Sequence, residues 1–168
     1  MKLVELLEHP QTKVQRDRII HYVTTQQRFD ELMQLFVQGP IRITQRAAWP
    51  ISYCVEHHPQ LLKPHYPAVV KLLALPNQTD AVKRNLLRAL QFVKVPGRYQ
   101  GRIADSCFTF LTGKEPIAIK VFAMTVLANL AEENHELKNE IIPIIESQLP
   151  FGSAGFISRA RKVLKRLK

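Results

Sequence analysis

Cys54, His57, His58 and His65 fall within twelve residues, and all four side chains can ligate zinc. On a helix Cys54 would share a face with His57 or His58, three and four residues further on, so two donors could converge. Pro59 and Pro64 redirect the chain before His65, and no second cysteine pair completes a tetrahedral set. The cluster is therefore expected to be a helix end with surface histidines, holding no metal and no other cofactor. Cys107 shares a stripe with Ile103 and Leu111 and is expected in the core. Nucleophilic use of either cysteine would need a positioned base, which spacing does not reveal. The chain carries no glycine-rich phosphate loop, no Gly-x-Ser-x-Gly elbow and no His-Glu-x-x-His. No catalytic residue is expected.

Recognition chemistry is better represented. Trp49 is the one tryptophan, with Tyr53 four residues on and Arg46 three residues before. Aromatic rings offer large contact area at small entropic cost, and arginine forks pair with carboxylate or phosphate. A second basic feature closes the chain, where Arg159, Arg161, Lys162, Lys165, Arg166 and Lys168 lie within ten residues that include no acid. These six make up more than half of the net charge of +10, so the basic end needs an explanation separate from the mildly basic body.

The elements that must position these residues are helices. In segment 80–93 the apolar residues Val82, Leu86, Ala89, Leu90 and Val93 form one helical stripe. The same spacing returns 37 residues later at Ile119, Ala123, Val126, Leu127 and Leu130, and after another 37 at Phe156, Ala160, Val163, Leu164 and Leu167. Upstream, Thr44, Ala48, Ile51, Ser52 and Val55 fit at an offset of 38 with two positions turned polar, and Gln15, Ile19, Tyr22, Val23 and Gln26 fit more loosely. A second strip, opening at Pro67 and at Pro143, precedes two of these copies, and Pro76 and Pro150 close it. Proline is tolerated early in a helix and stops one beyond its end. Each unit thus reads as helix, proline-marked turn, helix, with Asp80 expected as an N-cap.

The run from Pro67 to Leu90, with Val82-Lys83 and Ile119-Lys120 at an apolar-basic position, resembles the HEAT repeat: a proline-bearing first helix, a turn with Asp, then a second helix opening on Val-Arg. Thr44-Gln45 and Phe156-Ile157 depart from that pattern, so their repeats rest on spacing. The expected fold is all-α, an α–α superhelix of about five antiparallel helix pairs. They form one domain, 1–168, with repeats at about 1–27, 28–58, 60–94, 98–132 and 136–168.

The resemblance implies that second helices line a concave surface. The calculated outward face then holds Arg46, Trp49, Pro50, Tyr53 and His57; next Arg84, Leu87, Arg88 and Gln91; next Val121, Met124, Thr125 and Ala128; and finally Arg161, Lys162 and Lys165. Two readings of Trp49 stand: a groove anchor, or a residue packed sideways between repeats. The C-terminal helix likewise is either a solvated cap or an anion-binding end carrying Arg159, Arg161, Lys162, Lys165 and Arg166. The architecture is also similar to that of HEAT-like DNA glycosylases, whose pattern would require an Asp among concave aromatics. Asp17 and Glu132 come near the calculated face but are remote in sequence from Trp49 and Tyr53, and Asp105 belongs to a first helix.

The function expected is a non-enzymatic binding module presenting a basic-aromatic groove to an acidic peptide or protein segment. The alternative is nucleic-acid backbone binding through the groove arginines and the basic end. No apolar run approaches the ~18 residues of a membrane span, and Glu5, Glu8 and Pro10 interrupt any signal peptide. With two unpaired cysteines, a reducing, cytoplasmic setting is expected.

Overall fold

The computed structural model describes residues 2–168, which form ten α-helices and no strand. Four helices open on a hydroxyl cap. Thr12, Thr25, Thr79 and Ser153 accept from the backbone N–H of Gln15, Arg28, Val82 and Phe156, each satisfying one of the donors that a helix start leaves unpaired. Thr79 is therefore the cap where Asp80 was expected. Asp80 is the first residue of its helix, where its charge faces the positive end of the helix dipole, and it pairs with Lys83 at 3.8 Å.

The chain divides into two compact units, 1–94 and 95–168. In the first, α1 (Leu3–Glu8) packs on α2 (Lys13–Tyr22), and α3 (Gln26–Gln38) on α4 (Ile41–His57). A 3-10 stretch, Pro59–His65, leads into α5 (Tyr66–Ala74), which packs on α6 (Asp80–Leu90). The second helices α2, α4 and α6 also pack in a row, α2 on α4 and α4 on α6. Their shared core includes Ile19, Phe29, Phe36, Ile51, Val55, Leu62, Leu86 and Leu90, all nearly or fully buried. Pro67 lies in the first turn of α5, where its missing N–H is not needed, and Pro76 lies past the end of that helix. Asn77 then takes a φ of 59°, a left-handed turn conformation that asparagine tolerates.

In the second unit α7 (Gly97–Thr112) packs on α8 (Ile117–Ala131), α9 (Lys138–Gln148) packs on α10 (Ala154–Leu167), and α8 packs on α10. Ile103, Cys107, Leu111, Ile119, Ala123, Leu127, Ile141, Ile145, Phe156 and Ala160 fill its core. Pro143 lies inside α9 rather than near its start.

Pro50, Leu87, Met124 and Ala128 are buried, although all four were calculated to face outward. An inner second helix is covered on more than one side, by its own first helix and by neighbouring second helices. Its buried arc is consequently wider than the single apolar stripe of a surface helix. Among the described residues no helix is long and apolar enough to cross a membrane.

Candidate binding face

The face shared by α2, α4 and α6 is organised around Tyr53. Trp49 and Tyr53 are one helical turn apart on α4 and meet edge to face, centroids 6.2 Å apart. From α2, the Arg16 guanidinium carbon lies 4.7 Å from the Trp49 ring and 4.0 Å from the Tyr53 ring. From α6, that of Arg88 lies 3.9 Å from the Tyr53 ring and 5.3 Å from Phe92. A guanidinium plane is attracted by the negative face of an aromatic ring, so these contacts tie three second helices together. Both rings are only half-buried, which leaves their outer parts open to a partner.

Each stacked cation has a carboxylate beside it. Arg16 donates through Nε and Nη2 to Asp17 Oδ1, at 3.0 and 2.9 Å. Arg88 donates through Nη2 to Glu56 Oε2 at 2.7 Å and through Nη1 to the Ser52 hydroxyl at 3.3 Å. Ser52 in turn donates to the Trp49 carbonyl at 2.8 Å and lies 3.5 Å from the Asn85 amide oxygen. This explains why position 52, on the core stripe, is polar: it anchors the contact of α4 with α6.

Of the residues expected here, Trp49, Tyr53 and Arg88 come together. Gln91 is adjacent, its side chain donating to the Arg88 carbonyl. Arg84 is exposed on α6, and His57 is exposed at the end of α4, apart from the stack. Arg46 turns the other way. Its Nη1 donates to the carbonyls of Leu7 and Glu8, satisfying acceptors at the C-terminus of α1, where a cation also suits the helix dipole. Arg16 and Glu56 are the members that sequence reasoning missed, whereas Asp17 was expected near this face. A signal for Arg16 existed: it follows Gln15 as Lys83 follows Val82 and Lys120 follows Ile119. Asp17, remote from Trp49 in sequence, joins this face through Arg16, which it pairs with and which stacks on Trp49 because α2 packs on α4.

The family model described as HEAT repeat domain matches residues 3–167. The chain belongs to the HEAT repeat domain family. No curated protein and no solved structure matches it. The ten helices and their pairing are the α–α architecture of HEAT repeats, a fold that generally serves as an interaction scaffold.

In this HEAT repeat chain the basic end is sorted by the packing of α10. Arg159 donates to the Thr125 hydroxyl at 2.6 Å, Arg166 pairs with Glu132, and Lys168 pairs with Glu146 at 2.6 Å. Arg161, Lys162 and Lys165 form an exposed stripe opposite the buried Phe156, Ala160, Val163 and Leu167.

The histidine-cysteine cluster does not converge. His65 Nε2 lies 2.6 Å from Asp30 Oδ1, and its ring meets Phe29 edge-on. Burial pushes the Asp30 carboxyl up, but the Gln26 amide and His65 more than offset this and hold it below the usual carboxylate range. No group of three or more metal-ligating side chains occurs among the described residues. Burial alone pushes the Cys54 thiol up to about 12 and raises Cys107 as well, so neither is a ready thiolate. Both thiols are therefore expected to resist a water-soluble thiol reagent in the folded protein and to titrate fully in denaturant. Rapid modification without denaturant would contradict their burial.

Proposed function

We propose that this HEAT repeat chain is a non-enzymatic binding module whose face on α2, α4 and α6 takes an acidic peptide or protein segment. The observation that carries the reading is the half-open stack of Arg16, Trp49, Tyr53 and Arg88, with exposed Arg84 on the same row of helices. Aromatic area beside arginine forks is the composition that dominates binding energy at protein interfaces. In this reading the five repeats, about 1–27, 28–58, 60–94, 98–132 and 136–168, form a single domain that needs no cofactor. Its free thiols suit a reducing cytoplasm.

Trp49 is the single tryptophan, so its emission reports on this face directly. A glutamate-rich peptide is expected to shift that emission saturably. Arg84→Ala should weaken the response on the order of tenfold, since it deletes one charge-assisted contact. Emission unmoved by any acidic peptide would mean that Trp49 only packs between helices, and the reading would fail.

A second reading, nucleic-acid backbone binding, is favoured by one observation: the acid-free stripe of Arg161, Lys162 and Lys165 on α10. Replacing those three by Gln, while leaving the paired Arg159 and Arg166 in place, should then lower both duplex affinity and its salt slope. Peptide binding to the first unit should be indifferent to that change.

A further inference from the structure

Arg16 and Arg88 are the most strongly placed cations of the face, yet neither is free: Asp17 and Glu56 neutralise them within the chain. The arginine side chains are only 10 % and 18 % exposed, whereas Asp17 and Glu56 are 43 % and 32 % exposed. The carboxylates are thus the outward members of both pairs and the ones that can swing away into water. The cations are fixed by stacking on Tyr53, and one guanidinium carbon at 4.0 Å and another at 3.9 Å from one ring centre lie no more than about 8 Å apart. In an extended strand, alternate side chains leave the same side roughly 6.6 Å apart.

We infer that Asp17 and Glu56 hold the places of two carboxylates of the partner, and that an extended segment with acids at alternate positions binds by displacing them. This rests on the acidic-segment reading of the same face. Displacement exchanges one charge-assisted hydrogen bond for another, so net affinity is modest while selectivity for spacing is high: acids at adjacent positions point to opposite sides of the strand and reach only one fork. The chain's own carboxylates also reject isolated anions, because a single charge must compete with a tethered one at high effective concentration.

The test uses the full chain, tryptophan emission and synthetic peptides carrying two glutamates each, placed either at alternate positions (Glu-x-Glu) or at adjacent ones (Glu-Glu). Glu56→Gln keeps an oxygen for Arg88 but removes the competing charge, and it should tighten the alternating peptide about tenfold. Glu31→Gln, an exposed site on the first helix α3, makes the same change in net charge and should alter binding less than about twofold. Asp17→Asn is a second variant at the other fork and should act in the direction of Glu56→Gln. Two results would overturn the inference: equal effects of Glu56→Gln and Glu31→Gln, or no preference for alternating glutamates. If the wild type binds acidic peptides under either result, only the displacement idea falls. If neither the wild type nor the variants bind any acidic peptide, the function proposed above falls with it. A gain in Glu56→Gln seen for duplex DNA and not for peptide would assign the forks to phosphate and overturn the inference as well.

Discussion

Leu86→Asp is expected to abolish the cooperative melting of residues 1–94. Leu86 is 1 % exposed and lies on α6, which packs on both α5 and α4. Truncating a buried leucine costs about 2–5 kcal/mol, and a carboxylate left there without a partner adds several more. Domains are stable by about 5–15 kcal/mol, so the sum reaches the whole margin. Far-UV circular dichroism should show a reduced, sloping melt. Arg84→Asp, on the exposed side of the same helix, inserts the same charge and should shift the melt only slightly. If Leu86→Asp melted like the wild type, the repeated apolar stripe would not be what holds this unit together.

That stripe is what made the fold legible. The spacing of Val82, Leu86, Ala89 and Leu90, repeated 37 residues later at Ile119, Ala123, Val126 and Leu127, reports burial against a first helix, and those residues are buried. The opposite face was less legible for a physical reason. A helical wheel has one inside and one outside, whereas an inner second helix of an array has covered flanks as well. Leu87 and Met124 went inward on those flanks, and Ser52, on the core stripe, is polar because it meets Arg88 and Asn85 of α6. The flanks also decide which cations are available. Arg46 and Arg88 both belong to the row of second helices. Arg46 reaches back to the end of α1, and Arg88 reaches across to Tyr53 and Glu56. Period and spacing give the direction of a Cβ, but a long arginine chain travels far enough that its neighbours choose its end point. Arg16 shows the converse. It sits beside the apolar stripe, at the basic position of the repeat, yet it is buried there, paired with Asp17 and stacked on two aromatic rings.

Arg16 is accordingly where the binding face and the stability of the first unit should prove inseparable, and Arg16→Ala is expected to damage both. The residue is 8 % exposed, and its guanidinium stacks on both rings of α4. Two partly desolvated cation–π contacts, each worth about 0.5–2 kcal/mol, are lost together with the packing of the side-chain stem. The released Asp17 is 43 % exposed and can be solvated, so it adds little. A net destabilisation of about 2–4 kcal/mol follows, measurable by urea titration. The emission of Trp49 should move to the red as water reaches the ring that Arg16 covered. Acidic-peptide affinity should drop by about tenfold or more under conditions where the variant is still folded. Two further variants separate the causes. Arg16→Met keeps a long apolar stem without charge, so it should recover part of the stability and none of the binding. Arg16→Lys keeps the charge and the Asp17 pair but has no planar group to stack, so stability and binding should both be intermediate. If Arg16→Met bound acidic peptides as the wild type does, Arg16 would be a packing residue only. The forks that define the face would then reduce to Arg84 and Arg88.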